Sequence, residues 1–562
     1  MTKAGTGPRL PPLVPTGTAR GLFLGPDAEA DPQDGLGQEA RDLLLARDVA
    51  EPALLAAWEV ARWADPAPLS ERRALALLVV ALLEAIDAGG TFLSLGADLP
   101  ASLARLGLSD ADRQAVSTLA AALVERNAPP PVAALFGTPG DRRPFNLAGR
   151  CLYTERLWHT EDHLVGMLRA RLAAKLPHPA GIIDDALATA AITGPSSRLT
   201  DEQVAAVRAA LTQPLTVIAG GPGTGKTSIV VAILRALARL QVPVDRIALA
   251  APTGRAAQRI EESVGAALAA LEPRDPRDAD LLARFRGART LHRLLGIRPA
   301  RASALEADAP EFYDRWPLPH AFVIVDEASM IDLPLMDRLV AATAPDARLI
   351  LLGDADQLPS VEVGAVFREL VAGEPAHARR LTRSHRMNPQ NPAGAEILAA
   401  ATAVNAGVSA DAAYAAPPRP TAAELTFSGF ERLAAGGRDG LLARWHHEVL
   451  DGEAHTARAL GWFAGDDAPG DAAFAQALLK THAAARILCV TRTAGRRTSA
   501  AAINDVLHQQ VQAAALARGA GERLAAAPYL PGEPVIMLRN DPARGLSNGD
   551  LGVVVRRAAP RG

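Results

Sequence analysis

Residues 215–239 read LTVIAG, then GPGTGKT, then SIVVAILRALAR: an apolar run, a glycine-rich turn and a long apolar stretch with helical spacing. Such a segment predicts a buried strand entering a tight loop that opens directly into a helix. A strand apolar on both faces needs parallel neighbours covered by helices, so the surrounding chain is expected to be α/β. Within the segment, Gly220, Gly221, Pro222, Gly223, Thr224, Gly225, Lys226 and Thr227 fit G-x-x-x-x-G-K-[ST], with the flanks that motif requires. The glycines let backbone N–H groups turn inward around phosphates, and the helix N-terminus adds a favourable dipole. Lys226 is expected to reach the β- and γ-phosphates, and the Thr227 hydroxyl to ligate magnesium, which makes ATP and Mg2+ the expected cofactors. Only four of the 59 Lys and Arg residues are lysine (Lys3, Lys175, Lys226 and Lys480). In so arginine-rich a chain, a lysine in this loop reads as a compact point charge chosen over a planar guanidinium.

Further short apolar runs follow: RIALAAP, AFVIVDE and RLILLGD, each ending at small or acidic residues and separated by helical stretches. This is the pattern of a doubly wound parallel sheet with its chemistry at the C-terminal strand ends. Asp326 and Glu327 close the second of these runs. The first carboxylate suits a magnesium shell and the second can take a proton from an attacking water. An acidic pair at a strand end is as readily a helix cap, and the phosphate loop is what tips the reading. Gly353-Asp354 closes the third run, and Gln357 follows, an amide able to sense a γ-phosphate or its water. Arg386, in LTRSHR, can serve as an arginine finger or be simply solvated.

The chain has 562 residues, enough for several domains. Residues 1–40, rich in Pro, Gly and Asp, read as a flexible arm, and residues 41–190 as a mostly helical module with a small mixed element at its end. Residues 191–375 form a first RecA-like P-loop domain. Residues 376–562 form a second α/β section, in which RILCVTR reads as a strand and PVIMLRN with SNGDLGVVV as a hairpin closed by an Asn-Gly turn. The stretch 405–480 is weakly patterned. No apolar run approaches the ~20 residues of a membrane span. Cys151 and Cys489 stand alone, which argues against zinc or a disulfide framework and fits a reducing cytosol, so a cytoplasmic location is expected. A net charge of −3 confines any nucleic-acid surface to a local groove.

The order of these motifs resembles superfamily 1 DNA helicases. Gln203, in LTDEQVAAV, stands where that family reads adenine. APTGRAA at 251–257 and TLHRLLG at 290–296 stand where it lies along single-stranded DNA, which makes Thr253, Arg255, Thr290 and His292 DNA-binding candidates. DEAS and GDxxQLPS match as well. The likeness is strongest to the RecD family, alpha subunits of exodeoxyribonuclease V. It extends to FLSLGADL and to LYTERLWHTEDHL, with Tyr153, Arg156, Trp158 and Glu161, in the amino-terminal module. It covers most of residues 40–555 and is tightest between 199 and 386.

The resemblance implies an ATP-dependent 5′-to-3′ DNA helicase subunit that moves on single-stranded DNA and unwinds duplex DNA in double-strand break repair and recombination. It also implies a partner-binding role for residues 41–190, with RecB-like and RecC-like beta and gamma subunits as partners. Two other readings stay open: a stand-alone RecD-like helicase, and an interaction subunit without a working motor. Leu157 and Trp158 read on physical grounds as core residues rather than contacts. Arg492 reads equally as a nucleotide or DNA contact and as a solvated strand end. The Thr-x-His-Lys-x-Gln-Gly-like and Thr-Arg-Ala-like segments that close superfamily 1 helicases do not occur, so the second lobe is expected to be truncated and the chain's own turnover to be low. No nuclease constellation of carboxylates and lysine is evident.

Overall fold

In a computed structural model the described residues are 36, 38–47, 49–174, 176, 180–194, 197–271, 275–285, 287–297, 317–358, 360, 363–373, 377–384, 390–409, 417–450, 452–464, 468–492, 497–538, 541, 544, 546, 549–557. They divide into two compact units. The first runs to residue 382, apart from 222–224 and 253–259, which group with residues 383–562 in the second.

The amino-terminal part of the first unit packs helices Glu51–Arg62, Leu69–Asp87 and Asp110–Val124 around an apolar cluster. The central helix, Leu69–Asp87, is buried without a break from Ala74 to Leu82, as its run of Ala, Leu and Val demands. Beside it lies a four-stranded sheet of β1 (Leu93–Ser94), β2 (Phe136–Gly137), β3 (Phe145–Ala148) and β4 (Cys151–Thr154), in the order β1-β4-β3-β2. The small mixed element includes a hairpin: β3 and β4 pair antiparallel around Gly149, which holds φ +64°. Ahead of β3 the chain contributes a short helix, Pro130–Ala133, and β2.

Helix Glu155–Ala173 carries the module onto the next domain. Leu157, Leu164 and Leu168 share a cluster with Leu335, Met336 and Leu339 of helix Leu333–Ala342. Leu157 is thus a core residue, as expected, and Trp158 is half-buried. Arg171 is buried and donates to the carbonyls of Ala347 at 2.8 Å, Thr343 at 2.5 Å and Ala344 at 3.1 Å. Those carbonyls lie in the turn between the end of helix Leu333–Ala342 and the strand that begins at Arg348, so the guanidinium holds that turn together. His163 Nδ1 lies 2.8 Å from Asp337. The Ala344 carbonyl also accepts from the Ala347 N–H at 3.0 Å. Replacing Arg171 by alanine therefore takes the donor from the Thr343 and Ala347 carbonyls and is expected to cost about 2 kcal/mol, read as a lowered denaturant midpoint with unchanged slope.

A small antiparallel pair, β5 (Ile192–Gly194) and β6 (Ser197–Arg198), precedes the main sheet. The sheet itself comprises β7 (Leu215–Gly220), β8 (Ile247–Ala251), β9 (Arg289–Thr290), β10 (Phe322–Val325), β11 (Arg348–Gly353) and β12 (Ala378–Leu381). Their order is β12-β7-β11-β10-β8-β9, and every pairing is parallel. All C-terminal strand ends therefore share one edge. β7 is buried along its whole length, and helix Lys226–Arg239 is buried from Ile229 to Leu237. The predicted boundary at 375/376 misplaced β12: ARRL carries three charged or small residues and no apolar run, yet its backbone pairs with Val217–Gly220 of β7.

In the second unit, helices Pro392–Asn405, Arg438–Arg444, Gly452–Gly461, Ala468–Ala484 and Ala500–Ala517 dominate. The described strands form two pairs: β13 (Phe463–Ala464) with β16 (Arg556–Arg557), parallel, and β14 (Pro534–Ile536) with β15 (Leu551–Val553), antiparallel. The strand expected at RILCVTR is not formed. Residues 485–492 carry no regular structure, and Leu488 and Val490 are 92% and 104% exposed. An apolar alternation becomes a strand only where backbone partners exist to pair it. The hairpin is present, and Met537 carries its pairing on, donating to the Asp550 carbonyl at 2.9 Å and accepting from the Gly549 N–H at 2.8 Å. Gly549 holds φ +93°, while Asn548 lies outside the described residues.

Candidate nucleotide and nucleic-acid site

The phosphate loop begins where β7 ends and finishes where helix Lys226–Arg239 begins. Gly223 and Gly225 hold φ +76° and +84°, and Gly225 is the N-cap of the helix in the left-handed region. Side chains rarely adopt that conformation, so the motif's glycines are required by backbone shape. Lys226 Nζ donates to the Gly220 carbonyl and, at 3.4 Å, to that of Gly221. The ammonium is thus held over the loop by neutral carbonyls, and a charged phosphate oxygen is a stronger acceptor than these.

Gln203 sits under the same loop. Its backbone N–H and side-chain Oε1 complete a capping box with Thr200, at 3.4 and 2.9 Å, which starts helix Asp201–Thr212. A Cβ on Gly225 would lie 2.4 Å from Gln203 Nε2, so loop and glutamine are in direct contact. Glu202 ties that helix to the end of β12 by accepting from the Thr382 N–H at 3.1 Å and hydroxyl at 2.7 Å.

Asp326 and Glu327 leave β10, whose neighbours are β11 and β8. Glu327 holds φ +52° and ψ +36°, an uncommon conformation for a residue with a Cβ. Strain of this kind persists where surrounding structure over-determines it. Gly353 ends β11 under the ring of Phe367; an added Cβ would meet Phe367 Cζ at 2.8 Å and the Ser329 amide at 3.0 Å. The two acidic strand ends are therefore packed together through a glycine. Asp354 is 3% exposed and organises the next turn, accepting from the Asp356 N–H and from Gln357 Nε2, both at 3.1 Å. The sequence marked Gln357 but gave no signal that buried Asp354 would hold it. Thr227 is half-buried at the second helical position. A hydroxyl and a carboxylate are hard oxygen donors, the set a magnesium ion prefers.

Two of the nucleic-acid candidates prove to be helix caps. Thr253 Oγ1 accepts from the Ala256 N–H at 3.2 Å, and Thr290 Oγ1 from the Arg293 N–H at 3.3 Å. Thr253 lies two residues beyond β8 and Thr290 is the last residue of β9, with exposed basic or polar neighbours, Arg255 in one case and His292 and Arg293 in the other. Each cap takes up one first-turn N–H, and the N–H groups ahead of it have no intrahelical acceptor. Arg386 lies outside the described residues, and Arg492 is exposed in a segment without regular structure.

Residues 203–363 match the AAA domain family model. Over 454 residues the chain is 37% identical to RecBCD enzyme subunit RecD of Mycolicibacterium smegmatis, covering 77% of this chain and 69% of that protein. The chain belongs to the RecD family. A second RecD-family relative, RecBCD enzyme subunit RecD of Mycobacterium tuberculosis, is 37% identical over 424 residues, covering 74% of this chain and 64% of that protein. The chain thus spans about two thirds of the length of these RecD relatives. The ATP-dependent RecD2 DNA helicase of Deinococcus radiodurans is 33% identical over 243 residues, 43% of this chain and 28% of that protein. No helix among the described residues is long and apolar enough to cross a membrane.

Proposed function

We propose that this RecD-family chain is the ATP-driven DNA motor subunit of an exodeoxyribonuclease V-type complex. It would move 5′ to 3′ on single-stranded DNA, unwind duplex DNA and assemble with RecB-like and RecC-like subunits. The observation that carries the reading is the shared sheet edge, where the phosphate loop, the Asp326-Glu327 pair and the Asp354–Gln357 turn follow three strands packed in the order β7-β11-β10. Magnesium, held by Thr227 and Asp326, would supply charge neutralisation for the β- and γ-phosphates.

The chain's own residues then have distinct tasks. Lys226 leaves its two carbonyls for the γ-phosphate, where charge develops in phosphoryl transfer. Glu327 takes the proton of the attacking water, its backbone strain fixing where the carboxylate is aimed. Gln357, tethered to Asp354, bridges that water or the γ-phosphate to the turn, so loss of the phosphate releases the turn. Gln203 reads the adenine edge next to the loop. Thr253 and Thr290 present helix N-termini to the DNA backbone, with Arg255 and His292 beside them, which gives binding without strong sequence preference.

Glu327→Gln is expected to reduce single-turnover hydrolysis by about 10²–10⁴-fold while ATP affinity stays within a few-fold. A proportional loss of affinity would remove Glu327 from the proton-transfer role. The assignment as a whole is tested by co-expressing the chain with beta and gamma subunits and offering duplexes with 5′ or 3′ single-stranded tails. Recovery of one stable complex whose Lys226-dependent unwinding requires the 5′ tail is expected. Unwinding by the isolated chain at the complex's rate would favour a stand-alone helicase, and a complex indifferent to Lys226→Gln would favour an interaction subunit.

A further inference from the structure

The second unit contains a convergence of nitrogen and oxygen atoms that the motor reading does not use. His455 lies on helix Gly452–Gly461, His482 near the end of helix Ala468–Ala484, and Gly532 in the turn before β14. His455 Nε2 is 2.9 Å and His482 Nε2 2.8 Å from the Gly532 carbonyl oxygen, and the two Nε2 atoms are 3.1 Å apart. The rings meet edge to face at 81° with centroids 4.7 Å apart, so their Nε2 atoms reach one point from different directions. Gly532 holds φ +92°, and a Cβ there would lie 2.8 Å from Ala459 Cβ and 3.3 Å from His455 Nε2. Only glycine lets the carbonyl come this close, and the Gly532 N–H is fixed at 2.8 Å on the Val554 carbonyl.

Bonds of about 2.0–2.2 Å from a metal to nitrogen or oxygen, at right angles, put neighbouring ligand atoms about 2.8–3.1 Å apart. The three measured edges match one face of an octahedron. We propose that His455 Nε2, His482 Nε2 and the Gly532 carbonyl form a facial binding site for a divalent first-row transition ion such as Ni2+, Co2+ or Zn2+, with water on the open side.

Imidazole is the ligand these ions favour, and above a pH of about 6.5 it is mostly neutral and can offer its lone pair. His482 is only partly buried, which leaves an approach for the ion and its waters, whereas His455 is 5% exposed and fixes the inner wall. Glu533, next along the chain, is already engaged by His508 Nδ1 and by the Leu530 N–H, both at 2.7 Å, so the face stays at three ligands. Arg486 is the cation acting on His482, and it is exposed to solvent, which screens its repulsion of an ion. The site joins segments 27 and 50 residues apart in the chain, so an ion there would staple two helices to the hairpin. The competing arrangement is two ring N–H groups donating to one carbonyl with no ion involved.

The test is titration of the chelator-stripped full chain with Co2+ in the absence of nucleotide, with Ni2+-dependent melting in parallel. One saturable equivalent is expected, with a weak six-coordinate visible absorption and a melting temperature that climbs with Ni2+ concentration. His482→Gln keeps a donor for the Gly532 carbonyl. It is expected to melt near the wild-type temperature without metal and to weaken Co2+ binding tenfold or more. No saturable Co2+ band in the wild type, or unchanged binding in His482→Gln, would overturn the proposal. Should that variant fail to fold, X-ray absorption of the wild-type Co2+ complex decides: two imidazoles at the ion support the site, and fewer than two reject it.

Discussion

Replacing Lys226 by glutamine is expected to lower ATP turnover by about 10³-fold while the chain keeps its fold. The side chain is half-exposed and its partners are two loop carbonyls, so little stability rests on it. What is lost is a positive charge placed over the β- and γ-phosphates, which glutamine, neutral and shorter, does not restore. The check pairs steady-state hydrolysis in the presence of single-stranded DNA with a melting curve. A turnover within tenfold of wild type, with the same melting temperature, would mean that the phosphates are held elsewhere.

A second large effect is expected far from the nucleotide. Asp278 is 1% exposed and accepts from Arg235 at 3.0 and 3.2 Å and from Arg239 at 2.8 and 3.1 Å. Arg235 also donates to the Ala190 carbonyl at 3.2 Å, so the cluster ties helix Pro276–Arg284 and helix Ala180–Ala190 to the helix that follows the phosphate loop. Asp278→Ala leaves two guanidinium groups buried without their shared carboxylate, at a cost of about 3–5 kcal/mol. Burial alone would raise the Asp278 carboxyl, but the hydrogen bonds and charges of Arg239 and Arg235 outweigh it and hold it below the ordinary range. With the folded value depressed, the stabilisation is fully present above the unfolded value near 3.9 and is lost as pH falls through the folded one. Urea midpoints should therefore separate wild type from variant widely at pH 7 and converge only in strong acid. A gap that stays constant down to pH 2 would show that Asp278 acts by packing rather than by charge.

The motor domain was legible because its chemistry and its periodicity coincide. A loop such as 220–227 can only be written with glycines at left-handed positions, and LTVIAG or FVIV can only be buried strands. β12 was missed because ARRL is held by the backbone of β7, not by an apolar face. RILCVTR failed in the opposite sense: its alternation is that of a strand, but its Thr491 and Arg492 carbonyls accept from the Ala500 and Ala501 N–H groups, at the start of a helix, and not from a strand. In the site, residue types were readable and their supports were not. Asp354 beneath Gln357, Thr253 and Thr290 as caps, and the contact of Gln203 with Gly225 all depend on side chains meeting across distances that local spacing does not encode. Arg171 shows the same limit: nothing in RARLAAKL announces a buried guanidinium holding a turn more than 170 residues away.

The central claim is that ATP turnover at the 220–227 loop is coupled to DNA. Its most direct test is the steady-state rate at saturating Mg-ATP with and without unstructured single-stranded DNA, measured on the chain within its complex with beta and gamma subunits whose own ATPase sites have been disabled. Stimulation of tenfold or more, lost in Lys226→Gln, is the expected result. A rate that DNA leaves unchanged, or that survives the lysine substitution, would contradict it.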